Sequence, residues 1–276
     1  SNENYTVPGS EVQFLIRNAA DPRRPVMGIG KLASPAGELK ARSNWIGWSL
    51  DEFLSKMISG RWKPSEVFKI LTSHIQLMID STNLIGIDLS EEDISNPSNR
   101  TLFSLEMQYA KAVAKHLEWV KSNEQPKVII SNDTSNDELI ELTKGTLYTK
   151  KRIDKISWAL RARKLLIDNK VEQNPRIGLV NCLSNSVNRS IINRVISQIK
   201  TEGMASSILD LNVCGAVAPF NGLLVGKLVA LSVASRETQD AYSNRFDNRR
   251  VGISSVMKGD FLYRSNNIEV VTTTSL

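Results

Sequence analysis

The stretch EVQFLIRNAADPRRPVMGIGKLAS, residues 11–34, decides the fold. EVQFLIRNA reads as a strand, and VMGIGKLAS reads as a second one. DPRRP between them holds two prolines and an aspartate, which favour a turn. The pair predicts a β-hairpin. Side chains alternate along a strand, so Gly28 and Gly30 share one face and leave room there for a packed element or a ligand.

Working outward, ILDLNVCGAVAPF (208–220) alternates and reads as a buried strand leading to a turn at Pro219. NGLLVGKLVALSVASRETQDAYSNRF (221–246) reads as one helix, residues 247–260 as loop or short helix, and IEVVTTTS (268–275) as a strand. From Leu50 to about Asn174 the character is helical. Ser49 is the expected N-cap of the first helix there, with Glu52 completing a capping box and Gly60 as its stop. Ser65 is the expected cap of the next, which contains His74. EEDISNPSN (91–99) reads as an acidic loop. TLFSLEMQYAKAVAKHLEWVKSN (101–123) reads as an amphipathic helix with Leu102, Leu105, Met107, Tyr109, Ala112, Val113, Leu117 and Val120 on its apolar face. KVIIS (127–131) is a candidate strand, Gly145 closes a helix beginning at NDELIELT, and residues 179–203 read as one helix closed at Gly203.

The order is strand, strand, helical block, strand, helix, strand. It predicts an α/β (α+β) fold, a mixed sheet carrying a large helical insertion. The expected domains are a sheet core of residues 11–49 and 204–276 and a mostly helical insertion of residues 50–203. Residues 1–10 are expected to be flexible.

The chain of 276 residues is 41% hydrophobic and 23% charged, which suits a packed core. No run of about 18 apolar residues occurs. Lys227 and Ser232 interrupt the longest apolar-rich run, Leu223–Ala234. Residues 1–12 lack the basic start and apolar run of a signal peptide, so a cytoplasmic location is expected. Cys182 and Cys214 stand 32 residues apart and read as reduced thiols. With His74 and His116 the only histidines, no metal site is expected.

Three groups of residues carry possible chemistry. Net charge is +6, and residues 149–170 alone account for it, with eight basic residues against Asp154 and Asp168. On a helix, Lys150, Lys151, Arg152, Lys155, Arg161, Arg163 and Lys164 would meet a polyphosphate backbone, with Trp158 as a stacking surface. The alternative is a solvated helix face with Trp158 in the core. The second group is the turn APFNGLLVGKL (218–228), where Phe220, Asn221, Gly222, Gly226 and Lys227 would hold a phosphate at a helix N-terminus. It is not a Walker A loop, because three residues separate the glycines and Leu228 follows the lysine. The alternative is a helix packed by small residues. Third, Arg42, Trp45, Trp48, Asn212 and Cys214 are candidate pocket residues, Asn212 and Cys214 sharing one strand face. A tryptophan plug over a core is the alternative for Trp45 and Trp48, and Cys214 lacks a nearby histidine to serve as base.

Residues 14–49, 209–235 and 272–276, with 147–166 more weakly, resemble the DruA family of the Druantia anti-phage system. The resemblance implies a role in bacterial defence against phage beside other subunits, including a helicase. It also implies a longer chain than the one read here. The family's core is similar to the GNAT acyltransferase fold. In that comparison residues 14–19 and 26–34 are the central hairpin, and 209–218 is the strand before the cofactor turn. The helix 222–242 would receive a pyrophosphate at its N-terminus. Acyl-CoA or a nucleotide is the cofactor so implied, although Phe220 and Leu223 stand where that turn has polar and small residues. Three functions remain open at this point: a subunit engaging nucleic acid, DNA before RNA; an acyltransferase-like or nucleotide-binding enzyme; and a docking subunit.

Overall fold

Asp21 shapes the turn of the first hairpin. Its carboxylate accepts the Arg23 amide at 2.9 Å, and its carbonyl accepts the Arg24 amide at 2.8 Å. The computed structural model describes residues 11–122, 134–224, 226–246, 252–263 and 267–273. Strands β1 (Glu11–Arg17) and β2 (Val26–Ala33) pair antiparallel from Glu11↔Ala33 to Arg17↔Val26. There follow α1 (Lys40–Ile46), α2 (Leu50–Ile58), α3 (Pro64–Asp80), α4 (Glu91–Ser95), α5 (Asn99–Lys121), α6 (Asn136–Thr143), α7 (Thr146–Asp168), α8 (Pro175–Cys182) and α9 (Ser186–Ser206). Strand β3 (Ile208–Ala216) leads to α10 (Asn221–Leu224), α11 (Lys227–Leu231), a 3-10 turn at Ser232–Ala234 and α12 (Arg236–Phe246). Helix α13 (Gly252–Lys258) and strand β4 (Val270–Thr272) complete the described elements. The candidate strand at 127–131 lies outside the described residues.

The fold is mixed α/β, and the chain divides into two compact units. One comprises Ser1–Ser43, Lys200–Arg249 and Arg264–Leu276, and the other Asn44–Ile199 and Arg250–Tyr263. The first holds a four-stranded sheet in the order β1-β2-β3-β4, with the first two pairings antiparallel and the last parallel. Val12, Leu32, Leu209, Leu211, Val233 and Tyr242 form its core. The room beside the hairpin glycines is filled by protein. A Cβ on Gly30 would lie 2.0 Å from the Phe14 ring, and one on Gly28 would lie 2.6 Å from Val229. Of the packed element and the ligand, the packed element is the occupant.

Helix α7 is the strut of the second unit. It buries Ile153, Ile156, Ala159, Leu160, Ala162, Leu165 and Leu166. Helix α3 meets it with Leu71, Ile75 and Met78, and α5 with Leu105 and Ala112. Segment Arg250–Tyr263 belongs here although the sequence order placed it with the sheet. The Thr143 hydroxyl donates to the Val256 carbonyl, and the Asn83 amide donates to the Met257 carbonyl at 2.8 Å.

Several local expectations are corrected. The single helix over 221–246 is broken, because Gly226 takes φ 49° and Ser235 is extended, its hydroxyl accepting the Thr238 amide to restart the chain as α12. Residues 179–203 also form two helices; Asn185 accepts the Asn188 amide at 2.8 Å and opens α9, which runs past Gly203 to Ser206. Ser49 precedes α2 without a side-chain bond, and α3 begins at Pro64, whose fixed φ suits the first helical position. The acidic loop contains α4, because Ser90 and Asp93 close a reciprocal capping box. On α5 only part of the expected apolar face is covered. Leu105 and Ala112 are buried, whereas Met107, Tyr109, Leu117 and Val120 are exposed.

Candidate nucleic-acid interface

The basic helix is α7, and its position at the centre of the helical unit settles most of its cations. Arg152 is 1% exposed. Its guanidinium donates to the carbonyls of Asn83 at 2.6 Å, Ile85 at 2.9 Å and Thr143 at 3.1 Å. Lys155 donates to the Ser81 hydroxyl at 2.7 Å. Arg161 pairs with Glu106, and Lys164 with Asp168 at 3.0 Å. Arg163 donates to the Ile94 carbonyl at 2.7 Å and to the Gln76 side chain. Trp158 packs against the core and donates to Asp154 at 3.1 Å. Of the seven cations expected to meet a polyphosphate backbone, Arg152 is therefore buried. Five are engaged by their own unit, since their long side chains reach carbonyls and acids on neighbouring helices.

Lys150 and Lys151 differ. Neither has an ion-pair partner among the described residues, and both lie half-exposed in the first turns of α7. His116 of α5 faces that end of α7, with Nδ1 3.2 Å from the Thr146 hydroxyl. Burial pushes its imidazole below the ordinary range, and the charges of Lys150 and Lys151 push it further down. The imidazole stacks on Trp119, ring centres 5.7 Å apart and planes 22° from parallel. Lys111, Lys115 and Trp119 occupy successive i, i+4 positions, so they line one side of α5. This end of the unit therefore combines uncompensated positive charge with an aromatic ring, an arrangement suited to phosphates and unstacked bases. His116, Trp119, Lys111 and Lys115 were missed in the sequence, where no single segment concentrates them.

At the turn, Phe220 is half-exposed, while Asn221, Gly222 and Lys227 are exposed. Gly226 takes φ 49°, and the helices before and after it are four and five residues long. A helix dipole needs aligned peptide units, and these pieces are too short to build one. A helix-dipole argument for a phosphate at Phe220, Asn221, Gly222, Gly226 and Lys227 therefore finds no support in these elements.

The candidate pocket residues are divided between the units. Arg42, Asn212 and Cys214 belong to the sheet unit, and Trp45 and Trp48 to the helical unit. Trp48 packs against the helical core, whereas Trp45 is 75% exposed. Asn212 is the extra residue of a β-bulge, because Lys31 pairs Val213 while Leu32 pairs Leu211. The bulge breaks the alternation, so Asn212 is exposed and Cys214 packs on the core of Leu209 and Leu211. Two groups went unforeseen. Trp62 covers Gly47 and stands 5.7 Å from Phe53, with the Lys56 ammonium 5.3 Å from its ring. Asp210 forms a buried ion pair with Arg42 at 3.3 Å, and its other oxygen accepts the Ala36 amide at 2.7 Å.

The two thiols differ in access. Cys182 is 0% exposed, and burial pushes its thiol up to about 11. Cys214 is also raised by burial, but it is only partly enclosed. A thiol reagent at pH about 8 is expected to modify Cys214 first, and Cys182 only after unfolding, because the thiolate is the reactive form. Mass spectrometry of the native protein over time checks this; equal labelling rates would refute it.

These observations define a mixed α/β protein with a four-stranded sheet unit and a helical unit. No family model, curated protein or solved structure matches the chain. Among the described residues no helix is long and apolar enough to cross a membrane, and no cluster of three His, Cys, Asp or Glu is placed to hold a metal.

Proposed function

We propose that this chain is a cytoplasmic component of a bacterial anti-phage defence system of the Druantia DruA type. It engages nucleic acid, DNA before RNA, at the end of the helical unit where α5 meets the start of α7. The observation that carries the nucleic-acid reading is that Lys150 and Lys151, which have no ion-pair partner among the described residues, bear with their charge on His116, and His116 stacks on Trp119. The resemblance over residues 14–49 and 209–235 supports the defence role, and a helicase is among the expected partners. The pairing of β3 beside β2 of the hairpin supports the GNAT-like reading of the core, although β1 is an edge strand of the described sheet. The broken helix after β3 gives acyl-CoA or a nucleotide no support there.

Fluorescence anisotropy with labelled duplex and single-stranded DNA and with RNA, over a salt series, tests the proposal. The Lys150→Glu/Lys151→Glu variant is expected to weaken binding more than about tenfold and to lower the salt slope by about 2. Arg161→Glu is expected to change it far less, because Arg161 already pairs with Glu106. No binding at low salt, or equal effects of both variants, defeats the reading.

A second reading, as a docking subunit, is favoured by one observation. Phe103, Met107 and Leu117 on α5 are 63%, 49% and 54% exposed, and with Ala110 and Ala114 they follow a four-three spacing. Such a stripe forms a seam for a partner's amphipathic helix. Phe103→Glu/Leu117→Glu is expected to abolish co-purification with sister defence subunits while leaving the melting temperature within about 2 °C, since exposed positions contribute little to stability. Undiminished co-purification counts against docking.

A further inference from the structure

Within the helical unit, α3, the end of α4 and the last turns of α7 enclose a cavity of about 290 Å³. Phe68, Ile75, Leu166 and Val171 give it an apolar lining, and Arg163 and Lys170 stand at it as cations. Glu172 is the one acid among its lining residues. Arg163 is held by a carbonyl and an amide oxygen, and neither it nor Lys170 has an ion-pair partner among the described residues. Asp80 lies close enough for its charge to be felt at Arg163.

Lys170 is unusual in its backbone. It takes φ 51°, and the turn it forms lets the Val171 amide donate to Leu166 and its own amide donate to Ile167. Glycine ordinarily occupies this position after a helix, because a side chain is strained there. The strained position thus carries a cation, and that cation stands beside a second one at a cavity with apolar walls.

We propose that this cavity binds a small amphipathic anion, with a carboxylate or phosphate head on Arg163 and Lys170 and a short apolar body against Phe68 and Ile75. The volume lies at the small end of ligand sites, which begin at about 300 Å³. The cations supply charge-assisted bonds to the head, and the apolar lining supplies non-directional affinity. The site is separate from the nucleic-acid surface, and its occupant does not depend on that reading.

Titration calorimetry on the full chain tests it, with octanoate, octyl phosphate, octanol and octylammonium as probes. One-to-one binding of octanoate or octyl phosphate is expected, with octanol about tenfold weaker and octylammonium weaker still. The preference between the two anions identifies the head group. Because Arg163 also holds Ile94 and Gln76, the decisive variant is Lys170→Gly, which keeps the turn and removes the charge. It is expected to weaken the anions about tenfold and leave octanol unchanged. Absence of binding by either anion, equal affinity for octanol, or full anion affinity in Lys170→Gly overturns the proposal.

Discussion

Asp210→Ala is expected to lower stability by about 3–5 kcal/mol, because it strands a buried cation. The Arg42 side chain is 0% exposed and that of Asp210 is 4% exposed. Arg42 donates at 3.3 Å to one carboxylate oxygen, which also accepts the Thr272 hydroxyl, and at 2.5 Å to the Ala36 carbonyl. Its Nε has no hydrogen-bond partner. Removing the carboxylate therefore leaves a guanidinium out of water with one strong acceptor, and it also frees the Ala36 amide and the Thr272 hydroxyl. The same reasoning gives a control. Arg42→Met/Asp210→Leu removes both charges and is expected to recover most of the loss, since an apolar pair avoids the desolvation cost. Equilibrium urea unfolding measures both. A loss below about 1 kcal/mol in Asp210→Ala, the level of an exposed pair, would mean that water reaches this site.

Arg152→Leu is expected to cost the helical unit about 3 kcal/mol or more. Three carbonyls, from Asn83, Ile85 and Thr143, converge on this one side chain. A buried acceptor left without a donor costs about 1–3 kcal/mol, and relief from burying a cation offsets part of the sum. Arg152→Lys is expected to fare little better, because a single ammonium does not reproduce the planar fork. Thermal unfolding followed by circular dichroism reads both variants. A lysine variant as stable as the parent would contradict the clamp.

The hairpin and β3 were legible because strands announce themselves locally, through alternation and turn residues within ten or so positions. The long helices were legible from the period of their apolar residues. The fate of the charges was not. Arg152 is held by carbonyls as far away as Asn83, and Arg163 by Ile94, and no spacing rule connects such positions. Net charge counts cations without saying which are already bound. Breaks in regular structure were hidden for a related reason. Gly226 breaks a helix and Asn185 opens one through local choices that the apolar pattern on either side tolerates, and the bulge at Asn212 reverses which later residues face the core. Lys150 and Lys151 were legible as basic residues, but their setting beside His116 and Trp119 required two helices to be brought together.

The placement of α13 has a consequence for synthesis. Thr143 and Asn83 find partners at Val256 and Met257, which leave the ribosome after β3. The helical unit therefore cannot finish closing until much of the sheet unit has already been made. A piece cut at residues 44 and 199 would lack this last wedge, so dissecting the protein calls for a design that restores residues 250–263 through a linker.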